Sequence, residues 1–138
     1  MREILYKAKR LDNGEWVEGN LIYSNTKSFI VCAYETLCND GENTDFYATE
    51  WYEVDPKTIC RYTGLTDKNG NKIWENDRVV KADEPEISGT VKFGLYKGFY
   101  IVWSGSCAYR QDICYWANDG LIEVIGNICD NKELLESK

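Results

Sequence analysis

The feature that most limits what this chain can fold into is a series of short runs in which apolar and polar side chains alternate, separated by turn residues. In residues 4–9, every second side chain is apolar or aromatic, as on one face of a half-buried strand. The turn Asp12-Asn13-Gly14 follows, because Asn and Gly tolerate a positive φ, and residues 16–23 return as a second strand. The chain therefore begins with a predicted β-hairpin.

The same pattern continues along the chain and predicts a mainly β fold. We expect further strands over residues 28–33, 46–54, 58–62, 77–81, 87–93, 99–104 and 121–125. Polar stretches at 38–45 and 82–86 are predicted surface loops, and 67–71 is a predicted tight turn. Residues 131–137 are predicted to form a short C-terminal helix.

Composition excludes several classes of function. The net charge of −7 disfavours non-specific binding to phosphates, which depends on Lys and Arg. The densest basic cluster, Lys7-Ala8-Lys9-Arg10, is interpreted as the solvated end of a strand. No apolar run approaches the ~18 residues that span a bilayer, and no apolar signal core follows the N-terminus. We expect no membrane contact and a cytoplasmic location.

The chain has no histidine, which rules out a His-centred catalytic triad. Six cysteines lie at positions 32, 38, 60, 107, 114 and 129, without any Cys-x-x-Cys pair. A zinc site would need thiolates, alone or with carboxylates, at spacings that no common motif uses. We therefore expect six reduced cysteines that act as small, buried apolar residues.

Three carboxylates, Asp67, Glu75 and Asp77, are the candidates for a metal or acid–base cluster. The alternative is structural, with Asp67 closing a turn and Asp77 capping the backbone before a strand. The structural interpretation is favoured, so no catalytic, cofactor-binding or metal-binding residue is predicted. Trp74, between the turn and a strand, is expected to be buried and structural.

An aromatic cluster around Lys97 is a candidate platform for stacking nucleic-acid bases. Its members are Tyr96, Phe99, Tyr100 and Trp103. Strand alternation places Phe99 and Trp103 on the opposite face from Tyr100, so at least one of the two sets must belong to the core.

The stretch that most resembles a known family is DPKTICRYTGLTDKNGNKIWENDRVV, residues 55–80. It is similar to the central signature of the YopX-like family of phage and prophage proteins. The N-terminal Arg2-Glu3-Ile4 and the C-terminal EVIGNI, residues 123–128, also resemble that family. Arg61 stands where the family commonly has Gln, and Asn76 replaces a usual Gly while preserving its backbone freedom.

The resemblance implies a β-rich fold that contains a small SH3-like barrel, and an origin in a phage or prophage. It implies no known activity. With the strand pattern, it predicts an N-terminal β region over residues 1–57. An SH3-like barrel region with the short helix is predicted over residues 58–138.

The predicted function is that of a non-enzymatic accessory protein that binds a macromolecule, with a host or phage protein as the expected partner. Two alternatives stay open: a module that binds single-stranded nucleic acid, and a hydrolase that uses carboxylate-bound Mg²⁺. A homo-oligomer is also expected, because strands 4–9, 16–23 and 28–33 carry apolar residues on both faces.

Overall fold

The computed structural model describes residues 5–38, 44–94, 98–104, 111–118 and 120–130. They form two compact units, one within residues 5–61 and the other within residues 62–130. Both units are built from antiparallel strands, so the mainly β fold that the sequence predicts is confirmed.

The first unit contains four complete strands in chain order. These are β1 (Tyr6–Lys9), β2 (Trp16–Ser24), β3 (Lys27–Cys38) and β4 (Thr44–Val54), followed by a 3₁₀ helix (Pro56–Thr58). Each strand pairs with the next one, as expected for a meander joined by short turns. The strand β5 (Cys60–Thr66) pairs at its start with β1, where Tyr6 faces Arg61.

The last strand of the first unit, β4, is also joined to the chain that follows the first strand, β1. A bridge joins Arg10, just after β1, to Val54 at the end of β4. The Asp55 N–H also donates to the Lys9 carbonyl at 2.9 Å. Ala8, Ile30 and Val54 are 0–1% exposed and form the core inside this ring of strands.

The second unit contains the remaining elements. These are β6 (Lys72–Trp74), β7 (Asp77–Lys81), β8 (Ser88–Gly94), β9 (Gly98–Trp103), β10 (Gln111–Asp112), α1 (Ile113–Asn118) and β11 (Ile122–Asn127). Five of them form a sheet in the order β10-β9-β8-β7-β11. The short strand β6 pairs instead with β5, where Tyr62 faces Trp74 and Thr66 faces Lys72.

Helix α1 packs its apolar residues against the five-stranded sheet. Trp116 meets Trp103 edge-on at 5.1 Å between ring centroids, and Ile113 is also buried. The buried side chain of Lys81 places its Nζ 5.3 Å from the Trp103 ring centroid and 5.0 Å from that of Trp116. These cation–π contacts compensate part of the cost of burying an ammonium group.

Most of the predicted strands are found within a few residues of their expected ends. The predicted loop over 38–45 is wrong at its ends, because β3 continues to Cys38 and β4 begins at Thr44. Residues 39–43 of that loop lie outside the described residues. Pairing of β3 with β4 explains the extension, since two long strands satisfy each other's backbone groups even where their side chains are polar.

The sequence did not predict helix α1, and the predicted helix over 131–137 lies outside the described residues. Six residues are too few for a clear helical period, so the packing of Ile113 and Trp116 on the sheet decides this helix. The SH3-like barrel over 58–138 stays a prediction.

Candidate functional site

The face of the first unit that points away from its core carries apolar side chains from three strands. Ile22 faces Phe29 across β2 and β3, and Val31 faces Trp51 across β3 and β4. Directly paired residues of an antiparallel sheet point to the same side, so these four side chains lie together. We call this surface the outer face.

The outer face is open to solvent. Ile22 is 48% exposed and Trp51 is 54% exposed, while Phe29 and Val31 are half-buried. With Ala48 they line one shallow apolar depression. A contiguous cluster of exposed apolar side chains typically marks a binding surface.

Acidic side chains border the outer face on one side. A second depression, which shares Phe29 and Trp51 with the first, is also lined by Leu11, Asp12 and Glu53. Glu53 faces Phe29 in the register of β3 and β4, so its carboxylate belongs to the outer face. The surface therefore combines an apolar centre with carboxylates at its border.

Arg10 is already bound near this border. Its guanidinium donates through Nε to Asp12 Oδ1 at 2.8 Å and through Nη2 to Oδ2 at 2.6 Å. This hydrogen-bonded pairing raises the pKa of Arg10 and lowers the pKa of Asp12. The guanidinium also lies 3.9 Å from the ring centroid of Tyr52.

The predicted basic cluster is not a solvated strand end. Ala8 is fully buried, and Lys7, Lys9 and Arg10 are all half-buried. The two lysines place their Nζ atoms 4.5 and 5.5 Å from the ring centroid of Trp16. Pairing of β1 with both β2 and β5 explains the difference, because this segment has a strand on each side.

The candidate carboxylates have structural roles. Asp67 is buried and accepts hydrogen bonds from the N–H groups of Asn69, Asn71 and Val124, each at 2.9 Å. It thereby closes the predicted turn and ties it to β11, which confirms the interpretation of Asp67.

Asp77 is 2% exposed, and its carboxylate links three strands. It accepts from the Trp74 N–H at 2.8 Å and from Asn127 Nδ2 at 2.9 Å. The predicted backbone cap by Asp77 is confirmed. Glu75 is half-buried beside it, and among the described residues no group of three His, Cys, Asp or Glu is arranged to hold a metal ion.

The aromatic cluster divides between the core and the surface. Phe99 and Trp103 are 7% and 4% exposed and belong to the core of the second unit, which rules them out as a stacking platform. Tyr100 is half-buried on the other face of β9. Tyr96 and Lys97 lie outside the described residues.

Two other expectations concern single residues. Trp74 is 4% exposed, which confirms that it is buried. The exposure of four cysteines differs: Cys60 is buried, Cys32 and Cys129 are half-buried, and Cys114 is exposed. The expectation of burial is therefore wrong for Cys114, which lies on the solvent side of α1. Cys107 lies outside the described residues, as does the side chain of Cys38.

Sequence reasoning missed the outer face as a site. The signal was present, since apolar residues were noted on both faces of the N-terminal strands. What the pattern could not show is which of the two faces is covered.

Comparison with known proteins gives the family. The model of the family described as YopX protein matches residues 5–136. The chain belongs to the YopX family. The resemblance found in residues 55–80 is thereby confirmed. A search of curated protein sequences finds no match to this YopX family member.

A solved structure is similar to this YopX family member over nearly its whole length. It is the crystal structure of protein EF1440 from Enterococcus faecalis, with a TM-score of 0.68 and 21% sequence identity. The match covers 98% of this chain and 99% of that chain. At this identity the likeness shows the fold alone. In the described part of the chain, no helix has the length and apolar character that crossing a membrane requires.

Proposed function

We propose that this chain is a non-enzymatic phage or prophage accessory protein that acts in the cytoplasm by binding another protein. The observation that carries the proposal is the outer face, where Ile22 and Trp51 are about half exposed beside Phe29 and Val31. Apolar and aromatic side chains clustered on strands typically form the centre of a protein–protein interface.

The chemistry elsewhere in the chain supports binding over catalysis. The carboxylates of Asp67 and Asp77 accept hydrogen bonds from backbone and side-chain N–H groups that hold turns and strands together. A carboxylate bound in this way is poorly available to a substrate or to Mg²⁺, which weakens the hydrolase alternative.

Binding of single-stranded nucleic acid is the second candidate, and one observation favours it. Trp16 lies beside the ammonium groups of Lys7 and Lys9, which is the combination that stacks bases and contacts phosphates. The net charge of −7 opposes this candidate, because phosphate binding is weakened by like charge.

A comparative capture experiment tests the proposal. The wild-type chain, Trp51→Ala and the control Tyr23→Ala are immobilised and exposed to lysate of the bacterium that carries the gene, and the retained proteins are quantified by mass spectrometry. Tyr23 is 68% exposed, and it follows Ile22 on β2, so its side chain points to the opposite side.

We expect a protein that the wild type and Tyr23→Ala retain and that Trp51→Ala loses by about tenfold or more. Identical retention by all three chains would refute the outer face as the binding surface. Oligonucleotide binding that weakens with salt and is lost in Trp16→Ala would favour the second candidate instead.

A further inference from the structure

Glu53 places a carboxylate against the apolar part of the outer face. Its side chain is half-buried and lines the same depression as Phe29 and Trp51. In the part of the chain that the structure describes, the ion pairs join Arg10 to Asp12 and Lys68 to Glu123, and neither involves Glu53. The carboxylate is thus partly withdrawn from water and, among the described residues, forms no ion pair, although Lys27 lies on the same side of β3 two residues before Phe29.

Arg10 and the two lysines of β1 are already engaged. The Nε and Nη2 groups of Arg10 both donate short hydrogen bonds to Asp12, while Lys7 and Lys9 lie over Trp16. Arg10 neutralises the Asp12 carboxylate, so Glu53 is the carboxylate lining this depression that forms no ion pair among the described residues. A half-buried carboxylate next to aromatic rings attracts an incoming cation more strongly than an exposed one does. The reason is that less water remains around the ion pair to screen its charges.

We propose that the outer face binds a basic segment of a partner protein. An apolar side chain of the segment packs against Ile22, Phe29 and Trp51, and an adjacent Lys or Arg pairs with Glu53. This inference rests on the proposed function and names the chemistry of the partner. The net charge of −7 supports it, since an acidic protein attracts a basic partner over a longer range than the contact itself.

Charge also argues against a second copy as the occupant of this face. A two-fold interface on this face would place both Glu53 carboxylates in the same surface. Like charges brought together in this way are destabilising.

Three pools of short synthetic peptides test the inference on the full chain. All pools carry Leu, Ile or Phe at alternate positions. The intervening positions are Lys or Arg in the basic pool, Gln or Ser in the neutral pool, and Asp or Glu in the acidic pool. Binding is measured by fluorescence anisotropy at low and high salt for the wild type, Trp51→Ala, Glu53→Gln and Glu86→Gln. Glu86 is exposed in the second unit, so its variant makes the same change in net charge elsewhere.

We expect the basic pool to bind best, with an affinity that falls with salt and drops about tenfold in Glu53→Gln but not in Glu86→Gln. Trp51→Ala should weaken binding as well. Thermal melts of all variants establish that they are folded.

Two results would overturn the inference, and they differ in what they mean for the proposed function. If the basic and neutral pools bind equally and only Trp51→Ala weakens them, the outer face binds protein but does not select a basic segment. If no pool binds in a way that depends on Trp51, the inference fails, and the capture experiment then decides whether the face binds any protein.

Discussion

At the scale of single residues, two buried carboxylates join distant parts of this fold through hydrogen bonds. Asp67 and Asp77 together receive hydrogen bonds from elements far apart in the sequence, including the Val124 N–H and Asn127 Nδ2. The Val124 bond to Asp67 forms only when the turn and β11 are both in place, and the Asn127 bond to Asp77 only when β7 and β11 are. A buried carboxylate that loses such donors would be left unpaired at a cost of roughly 1–3 kcal/mol.

Asp67 should make the stability of the protein depend on acid pH. Its burial opposes ionisation, but the N–H donors of Val124, Asn71 and Asn69 outweigh that effect and lower the pKa of Asp67. A lowered folded-state pKa contributes stability above the unfolded value of about 3.9, and this contribution is lost as the pH falls through the folded value.

Asp67→Asn tests this dependence. The amide has a single acceptor oxygen, so it cannot replace both Oδ1, which accepts from the N–H groups of Asn69 and Asn71, and Oδ2, which accepts from the Val124 N–H. We therefore expect a loss of about 1–3 kcal/mol at neutral pH and a smaller further loss towards pH 2. Urea unfolding across pH measures both quantities. Asp83→Asn, at an exposed position, is the control. The same acid dependence in Asp67→Asn and wild type would contradict the assignment.

Trp74→Ala should be strongly destabilising. The ring is 4% exposed and packs against Tyr62 at 5.2 Å between centroids, so its removal leaves a cavity. We expect a loss of about 3 kcal/mol or more in the free energy of unfolding. Trp51→Ala is a matched control, because Trp51 is 54% exposed. Equal unfolding midpoints for the two variants would show that Trp74 does not support the core.

At the scale of elements, two strands approach more closely than ordinary side chains allow. A Cβ added to Gly19 on β2 would lie 2.1 Å from the Val31 carbonyl oxygen on β3. The register of β3 against β4 shifts immediately after Val31. The irregular pairing on β3 therefore occurs where β2 carries no side chain.

Gly19→Ala should separate β2 from β3. A contact of that length involves backbone and cannot be relieved by a rotamer change, so we expect a loss of about 1–3 kcal/mol or more. Asn20→Ala, at the neighbouring exposed position, should have little effect. Differential scanning calorimetry of both variants measures the difference. A wild-type melting temperature in Gly19→Ala would mean that the strands lie farther apart.

At the scale of the whole molecule, self-association is still expected. Within the described chain, β4 lies at the end of its sheet beside β3 and is bridged on its other edge at Val54. The edge over the earlier part of β4 is a place for a second chain to pair. This leaves the outer face free for a different partner.

Light scattering at micromolar concentration tests self-association. We expect a mass near twice the 16.0 kDa of one chain, and the same mass for Trp51→Ala, because the edge and not the outer face would join the chains. A mass near 16.0 kDa across a tenfold concentration range would show that the protein is monomeric.

Alternation and turn residues determined much of this protein in advance. The strands β1, β2 and β7, the turn at Asp67 and the left-handed Asn76, with its φ of 73°, all follow from local preferences. These features depend on a few neighbouring residues, so they can be predicted directly from the sequence. Family membership was also readable from residues 55–80.

Only the tertiary structure decided which apolar faces are covered. The pattern treats Ile22 and Ile30 alike, yet Ile30 is fully buried and Ile22 is 48% exposed. Likewise, Trp103 belongs to the core because Trp116 from α1 packs on it, and the sequence did not predict that helix. Burial depends on which distant segments come together, and that is set by the sum of many long-range contacts that no local pattern contains.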